Sequence, residues 1–275
     1  MHTKHARKAN ESQHRLTTWS TQVTAQRRAD RREAKRWSPS VIDLTRPVSE
    51  VTAFALLGDL CAGDEWASYR RPVVVYDRDF PKDTGKQGHF TIADHSATHI
   101  DAPAHAIPGG AHLEDVDLSR LIGEAVVLDL QREDPDHGYT AEDLAGAEPR
   151  IEAGDIVLIY SGYRDATVSD RMHQTYLTVE AAEWLVDRAV CAVGCEPVGI
   201  EHVPRGLLEY DWYNPATRYQ PPWPAHDVLL RNNIYIIEGL TNLDQVRGRR
   251  VRFAALPALI PGLTGCPVRA VAWID

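Results

Sequence analysis

The sequence predicts an α/β protein built around one large domain. Apolar runs of strand length, such as EAVVLDL at 124–130 and DIVLIY at 155–160, lack the alternation of a half-exposed strand and suit strands that are buried on both faces. The segment TVEAAEWLVDRAV at 178–190 places helix formers and an apolar stripe after Thr178, a favourable N-cap residue. A chain of 275 residues with 43% hydrophobic content is large enough to bury a sizeable core.

The remaining elements are predicted from local patterns along the chain. The opening segment SVIDLTRPVS is closed by Pro47, and PVVVYD is rich in the β-branched residues that favour strands. We expect strands at 40–49, 72–77, 124–130, 155–160, 233–237 and 267–274, and helices at 113–121, 140–145 and 178–190. The stretch 207–224 contains four prolines and five Tyr or Trp residues, which predicts a long ordered loop.

The composition excludes several classes of protein. No run reaches the roughly 18 apolar residues of a membrane helix, and the first twenty residues lack the apolar core of a signal peptide. The four cysteines are too scattered for a disulfide framework, and Cys191 and Cys195 stand among small apolar residues. We therefore expect reduced, buried thiols in a cytoplasmic protein.

The formal net charge of −9 is unevenly distributed. Residues 1–36 carry ten Lys or Arg and three Asp or Glu, so this segment has a charge of +7 and the rest of the chain −16. We expect residues 1–37 to form a basic helical arm and residues 38–275 to form the domain. No DNA-binding motif accompanies the arm, so packing on the acidic body or on a neighbouring subunit is favoured over nucleic-acid binding.

Residues 94–110 read DHSATHIDAPAHAIPGG and contain ligand-type side chains at a regular spacing. His95, His99, Asp101 and His105 follow the pattern H-x3-H-x-D-x3-H. In a helix, Asp101 would lie away from the face that His95 and His99 share, and Pro103 would break the turn. In an extended chain all four side chains lie on the same side, because side chains alternate with a period of two. The spacing therefore predicts an extended segment that presents these groups to one point.

This cluster favours a metal site. Imidazole and carboxylate groups are suited to Zn²⁺, Mn²⁺ or Fe²⁺, and a carboxylate between two histidines can bridge two ions. The alternative is a set of hydrogen-bonded structural histidines. The intervening Ser, Ala, Thr and Pro residues bury little apolar area, which argues against a purely structural role.

The motif resembles the H-x-G-T-H-x-D-x-P-x-H signature of the cyclase superfamily, which includes bacterial kynurenine formamidase and isatin hydrolase. The resemblance runs from Val41 to Asp275 and includes IDLTRPVS, PGGAHLEDVDLSRLIGEAVVLDL, GDIVLIYSGY, EGLTNLDQV and LPALIPGLTGCPVRAVA. It implies a swivelling β/β/α domain, with the arm before Trp37 outside the resemblance. It also implies a homo-oligomer, a dimer or tetramer.

Two more metal ligands are implied by the resemblance alone. The downstream His of the family pattern matches His226 in WPAHDVLL, and its Glu before a G-L pair matches Glu238 in IIEGLTNL. The resemblance then implies one ion held by His95, His99 and Asp101, and a second held by Asp101, His226 and Glu238. One or two Zn²⁺ ions are expected, with Mn²⁺ as the alternative.

The resemblance assigns His105 as the catalytic acid–base, a role for which an imidazole pKa near 6.5 is suitable.

Two positions depart from the family pattern. Ala97 replaces the usual Gly, which adds a methyl group close to the ligands, and Glu196 stands where Asp is common. These departures bear on the substrate and leave the six candidate residues unchanged.

Three functions are compatible with the sequence. The first is hydrolysis of an amide, lactam, lactone or formamide bond in a small substrate, with an aromatic one favoured by Trp212, Tyr213, Tyr219 and Trp223. The second is a metal-dependent cyclisation or dehydration of a polyketide-like intermediate. The third is a non-catalytic, metal-stabilised binding scaffold, for which His105 would be superfluous. Neither a nucleic acid nor a membrane is expected as a partner.

Overall fold

The computed structural model describes residues 40–48, 72–132, 134, 137–163, 175–197, 199–201 and 223–274. These residues form a mixed α/β arrangement dominated by one large, curled sheet. The arm predicted at 1–37, the Cys61 thiol and most of the loop predicted at 207–224 lie outside the described residues. Within the described ranges, no helix combines the length and the hydropathy needed to cross a membrane.

The described residues form thirteen strands and three α-helices. The strands are β1 (Ser40–Asp43), β2 (Val73–Arg78), β3 (Gln87–Thr91), β4 (His99–Asp101), β5 (Ile122–Asp129), β6 (Gly138–Tyr139), β7 (Ile156–Tyr160), β8 (Tyr176–Leu177), β9 (Ala192–Cys195), β10 (Tyr235–Glu238), β11 (Arg249–Leu256), β12 (Gly265–Pro267) and β13 (Arg269–Ile274). The helices are α1 (Ala141–Gly146), α2 (Val179–Asp187) and α3 (Pro224–Arg231).

Nine strands form one sheet in the order β1-β13-β11-β5-β7-β9-β10-β4-β12. The central strands β5, β7, β9 and β10 are parallel, and the strands on either side pair antiparallel. Strands β2 and β3 form a separate antiparallel hairpin, and β6 and β8 a short parallel pair. The strand β4, which carries part of the predicted metal motif, therefore lies between β10 and β12 near one edge of the sheet.

The central strands are buried on both faces, as their apolar runs predict. Val157 of β7 packs into a core shared with the three helices, whereas its neighbour Leu158 packs into a second core with Phe253 of β11. Both valine and leucine are fully buried. Because Phe253 belongs to the same sheet, the second face is covered by the sheet itself, which curls over to enclose that core.

Two of the predicted helices form. Each begins at a side-chain cap, which the sequence predicted for Thr178 but not for Thr140. Thr140 and Asp143 make a reciprocal capping box at the start of α1, and the Thr178 side chain accepts a hydrogen bond from the Ala181 N–H at the start of α2. The inward stripe predicted for this helix consists of Val179, Ala182, Leu185, Val186 and Ala189. Ala182 and Leu185 are buried and Val186 is partly buried, but Val179 is 39% exposed and Ala189 is also exposed. The prediction is therefore wrong at both ends of the stripe.

The helix predicted at 113–121 is wrong. The segment forms two short 3₁₀ turns, Leu113–Asp115 and Leu118–Arg120. The Asp117 side chain accepts hydrogen bonds from the backbone N–H and the hydroxyl of Ser119, at 2.9 and 2.7 Å. Such local side-chain bonds compete with a continuous helix and favour the start of a new turn.

Strand β9 was not predicted, because its sequence AVGC contains small residues with weak strand preference. Its packing explains them. A Cβ atom on Gly194 would lie 2.7 Å from side-chain carbons of both Leu158 and Leu240.

The thiols of Cys195 and Cys266 are free and buried, as expected, whereas Cys191 is only partly buried.

The hairpin of β2 and β3 exposes a large apolar surface. Val74 pairs across the strands with Phe90, and their side chains are 61% and 68% exposed. Tyr76 on the same face and Phe80 in the connecting turn are also more than half exposed. Exposed apolar patches can mark sites of interaction with another molecule.

Candidate metal centre

The register of three strands places the central groups of the site. Strand β4 pairs with β10 so that His99 lies opposite Glu238, and with β12 so that Asp101 lies opposite Gly265. His99 and Asp101 are two residues apart on β4 and therefore share one face. The His99, Asp101 and Glu238 side chains are all buried, with Asp101 fully enclosed.

The extended conformation predicted for the whole motif is only partly correct. The strand covers His99–Asp101, but the chain before it turns at Ala97, whose φ is +56°, and Pro103–His105 forms a 3₁₀ turn. His95 and His105 therefore reach the same place from turns on either side of the strand. The four side chains of the motif meet at one place, as predicted. The two turns and the packing of the chain bring them there, and the alternation of side chains along one extended strand does not.

Ala97 keeps a left-handed backbone although it carries a methyl group. This conformation costs an L-residue about 1–2 kcal/mol, and the residue is fully buried. It orients the Ala97 carbonyl so that it accepts a hydrogen bond from Nδ1 of His99 at 3.1 Å. The left-handed turn and its contact with His99 thus form here with alanine at the position where the family pattern has glycine.

Four nitrogen-to-oxygen distances in the cluster match the distances between the ligand atoms of a tetrahedral Zn²⁺ ion. Nε2 of His99 is 3.4 Å from Oδ1 of Asp101 and 3.6 Å from Oε2 of Glu238. Nε2 of His226 is 3.4 Å from Oε1 of Glu238 and 3.6 Å from Oδ2 of Asp101. Tetrahedral ligands about 2.1 Å from Zn²⁺ lie about 3.4 Å from one another. The spacing is longer than that of good hydrogen bonds and suits a shared cation.

The buried carboxylates require positive charge. Oδ2 of Asp101 is buried and accepts no hydrogen bond within the described part of the chain. Burial opposes the Asp101 charge, but the facing His99 and contacts with His226 and His95 hold its pKa well below the usual range. Burial likewise opposes the charge of His99, yet Asp101 and Glu238 raise its pKa to about 9. A divalent cation meets the same electrostatic need, so these residues fit one.

The resemblance divides the predicted ligands between two ions, and the structure groups the same residues differently. Ligand atoms of His99, Asp101 and Glu238 converge in one buried group, and those of His95, Asp101 and His105 in a second. The His95 and His99 rings are in edge contact, with centroids 5.2 Å apart, but their ligand atoms belong to different groups. Nδ1 of His95 is 2.7 Å from Oδ1 of Asp101, a hydrogen-bond distance. Asp101 is common to both groups.

His105 lies in a stack of rings beside the cluster. Its ring centroid is 3.9 Å from that of His95 and 5.2 Å from that of Trp223, whose ring is nearly parallel to it at 11°. Burial lowers the pKa of His105 to about 4, and the neighbouring His95 and His226 act in the same direction. The ring is therefore neutral near pH 7 and carries a nitrogen lone pair, but its pKa lies below the value near 6.5 that the sequence analysis took as suitable for an acid–base.

Three residues that the sequence analysis did not assign contribute to the site. Glu201 accepts a hydrogen bond from His226, and the Thr264 hydroxyl lies 3.2 Å from Nε2 of His95. The His95 ring also packs directly on Gly265. No local signal marks these residues, since each meets its partner across more than twenty residues of chain.

Comparison with known proteins supports the family predicted from the motif. A family model described as "Putative cyclase" matches residues 42–202. An isatin hydrolase from Roseibium aggregatum is 28% identical over 240 residues, which cover 74% of this chain and 87% of that protein. A kynurenine formamidase from Geobacillus thermodenitrificans is 31% identical over 186 residues, which cover 66% of this chain and 78% of that protein.

A solved structure supports the fold in the same way. A potential metal-dependent hydrolase with cyclase activity superposes with a TM-score of 0.64 at 25% sequence identity. The match covers 86% of this chain and 99% of that structure. The curled sheet described above is therefore shared with this protein.

Substitution of Gly265 tests the packing of the site. In Gly265→Ala the new Cβ would lie 2.4 Å from Cε1 of His95, so we expect the imidazole to be displaced and the free energy of unfolding to fall by about 1–3 kcal/mol. Urea denaturation followed by circular dichroism measures this change. Gly123→Ala is the matched control, because a Cβ there meets no atom within 4 Å, and it should change stability by less than about 0.5 kcal/mol. Equal losses in the two variants would contradict the close packing of His95 on Gly265.

Proposed function

The chain belongs to the cyclase family, and from this membership we propose that it is a metal-dependent hydrolase. The bond opened would be an amide, lactam, lactone or formamide bond in a small aromatic substrate. The observation that carries the proposal is the buried cluster of Asp101, Glu238, His99 and His226, with the neutral His105 beside it. The relatives compared above are named isatin hydrolase and kynurenine formamidase, which supports a substrate of this class.

We propose that Zn²⁺ or Mn²⁺ is held by His99, Asp101, Glu238, His226 and His95. Mixed nitrogen and oxygen ligands are suited to either metal. When bound, such a cation lowers the pKa of water toward neutrality and polarises a carbonyl oxygen. The two carboxylates contribute the negative charge that holds a divalent ion in a buried position.

The chain fixes the proton on the histidines that face the cluster. The Ala97 carbonyl can only accept a hydrogen bond, so Nδ1 of His99 carries a proton. Nε2, which lies toward Asp101 and Glu238, is therefore the nitrogen that would bind a cation once its own proton is displaced. Partners of this kind on the outer nitrogen orient a ligating imidazole and raise its basicity. His99 is thereby prepared as a nitrogen ligand.

His105 is the residue proposed to move the proton. Because its imidazole is neutral near pH 7, a ring nitrogen can accept a proton from the attacking water and pass it to the departing nitrogen or oxygen. The parallel Trp223 ring lies against the face of His105 and offers an aromatic wall for a planar substrate. Proton transfer would thus take place at the His105 ring and substrate contact at the adjacent Trp223 ring.

Chemical screening tests the proposed function. We expect the full chain, purified without chelators, to hydrolyse at least one of a set of aryl formamides, aryl amides, lactams and lactones, with a product one water heavier than the substrate. Dialysis against a chelator should abolish turnover, and Zn²⁺ or Mn²⁺ should restore it. Products that have lost water would instead indicate the cyclase or dehydratase alternative. A metal-loaded protein inactive on the whole set would count against hydrolysis.

The His105→Ala variant tests the acid–base assignment. General acid–base help typically contributes about 10²–10⁴-fold to a rate, so we expect turnover to fall within that range while the bound metal is retained. The measurement pairs steady-state rates with elemental analysis of the purified variant. His137→Ala, which removes a partly exposed imidazole beside α1 and outside both the cluster and the hairpin, is the control and should leave both unchanged. Loss of metal from His105→Ala would make His105 a ligand.

We also propose that the chain forms a homo-oligomer through the β2–β3 hairpin. The support is the exposed apolar face formed by Val74, Tyr76 and Phe90. Most soluble oligomers are symmetric assemblies of identical chains, so a second copy of this chain is the partner proposed for this face.

A double substitution on this face tests the oligomer. We expect light scattering of the full chain to give a multiple of the 30.7 kDa monomer mass, and Val74→Asp with Phe90→Asp to lower that mass. Leu118→Asp, at another exposed apolar residue outside the hairpin, should leave the mass unchanged. A monomeric wild-type chain would contradict the proposal.

A further inference from the structure

We infer that Glu201 is a positioning residue for the metal site, acting through His226 and setting how tightly the site binds a divalent cation. The inference rests on the proposed function, because it assigns His226 a ligand role. Glu201 belongs to the segment that follows β9, and neither the spacing of the motif nor the resemblance assigned it a role. Its position in the fold links this segment to the start of α3.

One carboxylate oxygen of Glu201 makes two contacts with His226. Oε1 accepts a hydrogen bond from Nδ1 of the imidazole at 3.1 Å and another from the backbone N–H of the same residue at 2.8 Å. Both side chains are largely enclosed, with 13% and 7% of their surface exposed. The carboxylate therefore holds the ring and the backbone that carries it as one unit.

The backbone contact replaces a missing helix cap. The N-cap residue of α3 is Trp223, which makes no side-chain capping bond, and His226 is the third residue of the helix. The N–H at this position lacks a partner within any helix and is normally satisfied by the N-cap side chain. Glu201 supplies that acceptor from a distant segment, and its negative charge suits the positive end of the helix.

The side-chain contact fixes the tautomer of His226. Since the Glu201 carboxylate accepts from Nδ1, that nitrogen carries a proton, and Nε2 is the nitrogen that would bind a cation once its own proton is displaced. Nε2 faces Oε1 of Glu238 at 3.4 Å and Oδ2 of Asp101 at 3.6 Å. A carboxylate on the outer nitrogen of an imidazole orients the ring and strengthens its inner nitrogen as a metal ligand.

The neighbouring residue acts on a second proposed ligand. The backbone N–H of Ile200 donates a hydrogen bond to Oε1 of Glu238 at 2.8 Å. Two consecutive residues therefore hold His226 and Glu238, the two ligands contributed by α3 and β10. A purely structural cap on α3 would not require this convergence on the inner cluster.

The test compares the Zn²⁺ affinity of the full wild-type chain with the Zn²⁺ affinities of its Glu201 variants. We expect Glu201→Ala to weaken Zn²⁺ binding by about 10–100-fold, measured by competition with a chromophoric chelator. Glu201→Gln retains a carbonyl oxygen that can accept from Nδ1, so it should lose less affinity than Glu201→Ala and serves if the alanine variant fails to fold. The visible spectrum of the Co²⁺-loaded protein should change in both variants, because the geometry of His226 changes.

Thr178→Ala is the matched control, since it removes a side-chain cap from α2 at a place where no proposed ligand lies. It should lower the midpoint of urea unfolding and leave the Zn²⁺ affinity unchanged. The inference is overturned if Glu201→Ala and wild type bind Zn²⁺ within about twofold of each other, or if Thr178→Ala weakens binding as much as Glu201→Ala does. A wild-type chain that binds neither Zn²⁺ nor Mn²⁺ would overturn the proposed function and this inference together.

Discussion

The burial of two carboxylates side by side is the constraint on which the rest of the site depends. Asp101 and Glu238 lie within the edge of the sheet, where water cannot solvate their charge. Isolated buried anions are costly, and two near each other repel, so positive charge must be supplied. The imidazoles of His95, His99 and His226 surround the pair for this reason, and the same electrostatic field favours a divalent cation.

The topology of the sheet determines how these groups meet. Strand β4 has only three residues, but it is held on both sides, by β10 and by β12. A slip of one residue between β4 and β10 would place Ile237 opposite His99 and move Glu238 out of register. The short strand is tolerated because the cores on both faces of the sheet fix its neighbours.

The outer contacts of the site are made by whichever groups the fold brings within reach. The carbonyl of Ala97 orients His99, the carboxylate of Glu201 orients His226, and the N–H of Ile200 holds Glu238. Two of these three groups belong to the backbone, so their contribution depends on conformation rather than on residue type. The left-handed turn at Ala97 illustrates the point, since the backbone retains its shape despite the added methyl group.

The α/β class could be predicted from the sequence alone, as could the buried central strands, the helices α1 and α2, and the cluster from His95 to His105. Each of these depends on local patterns, namely apolar runs, capping residues and the density of ligand-type side chains. His226 and Glu238 could be named only by resemblance to a family, because nothing in their own neighbourhoods marks them. The three-dimensional structure was needed to show how the ligand atoms of His95 and His99 fall into two groups, why Gly265 must lack a side chain, and that Glu201 contacts His226. The physical reason is that strand register and chain crossings create these contacts between segments far apart in sequence, where no local periodicity can encode them.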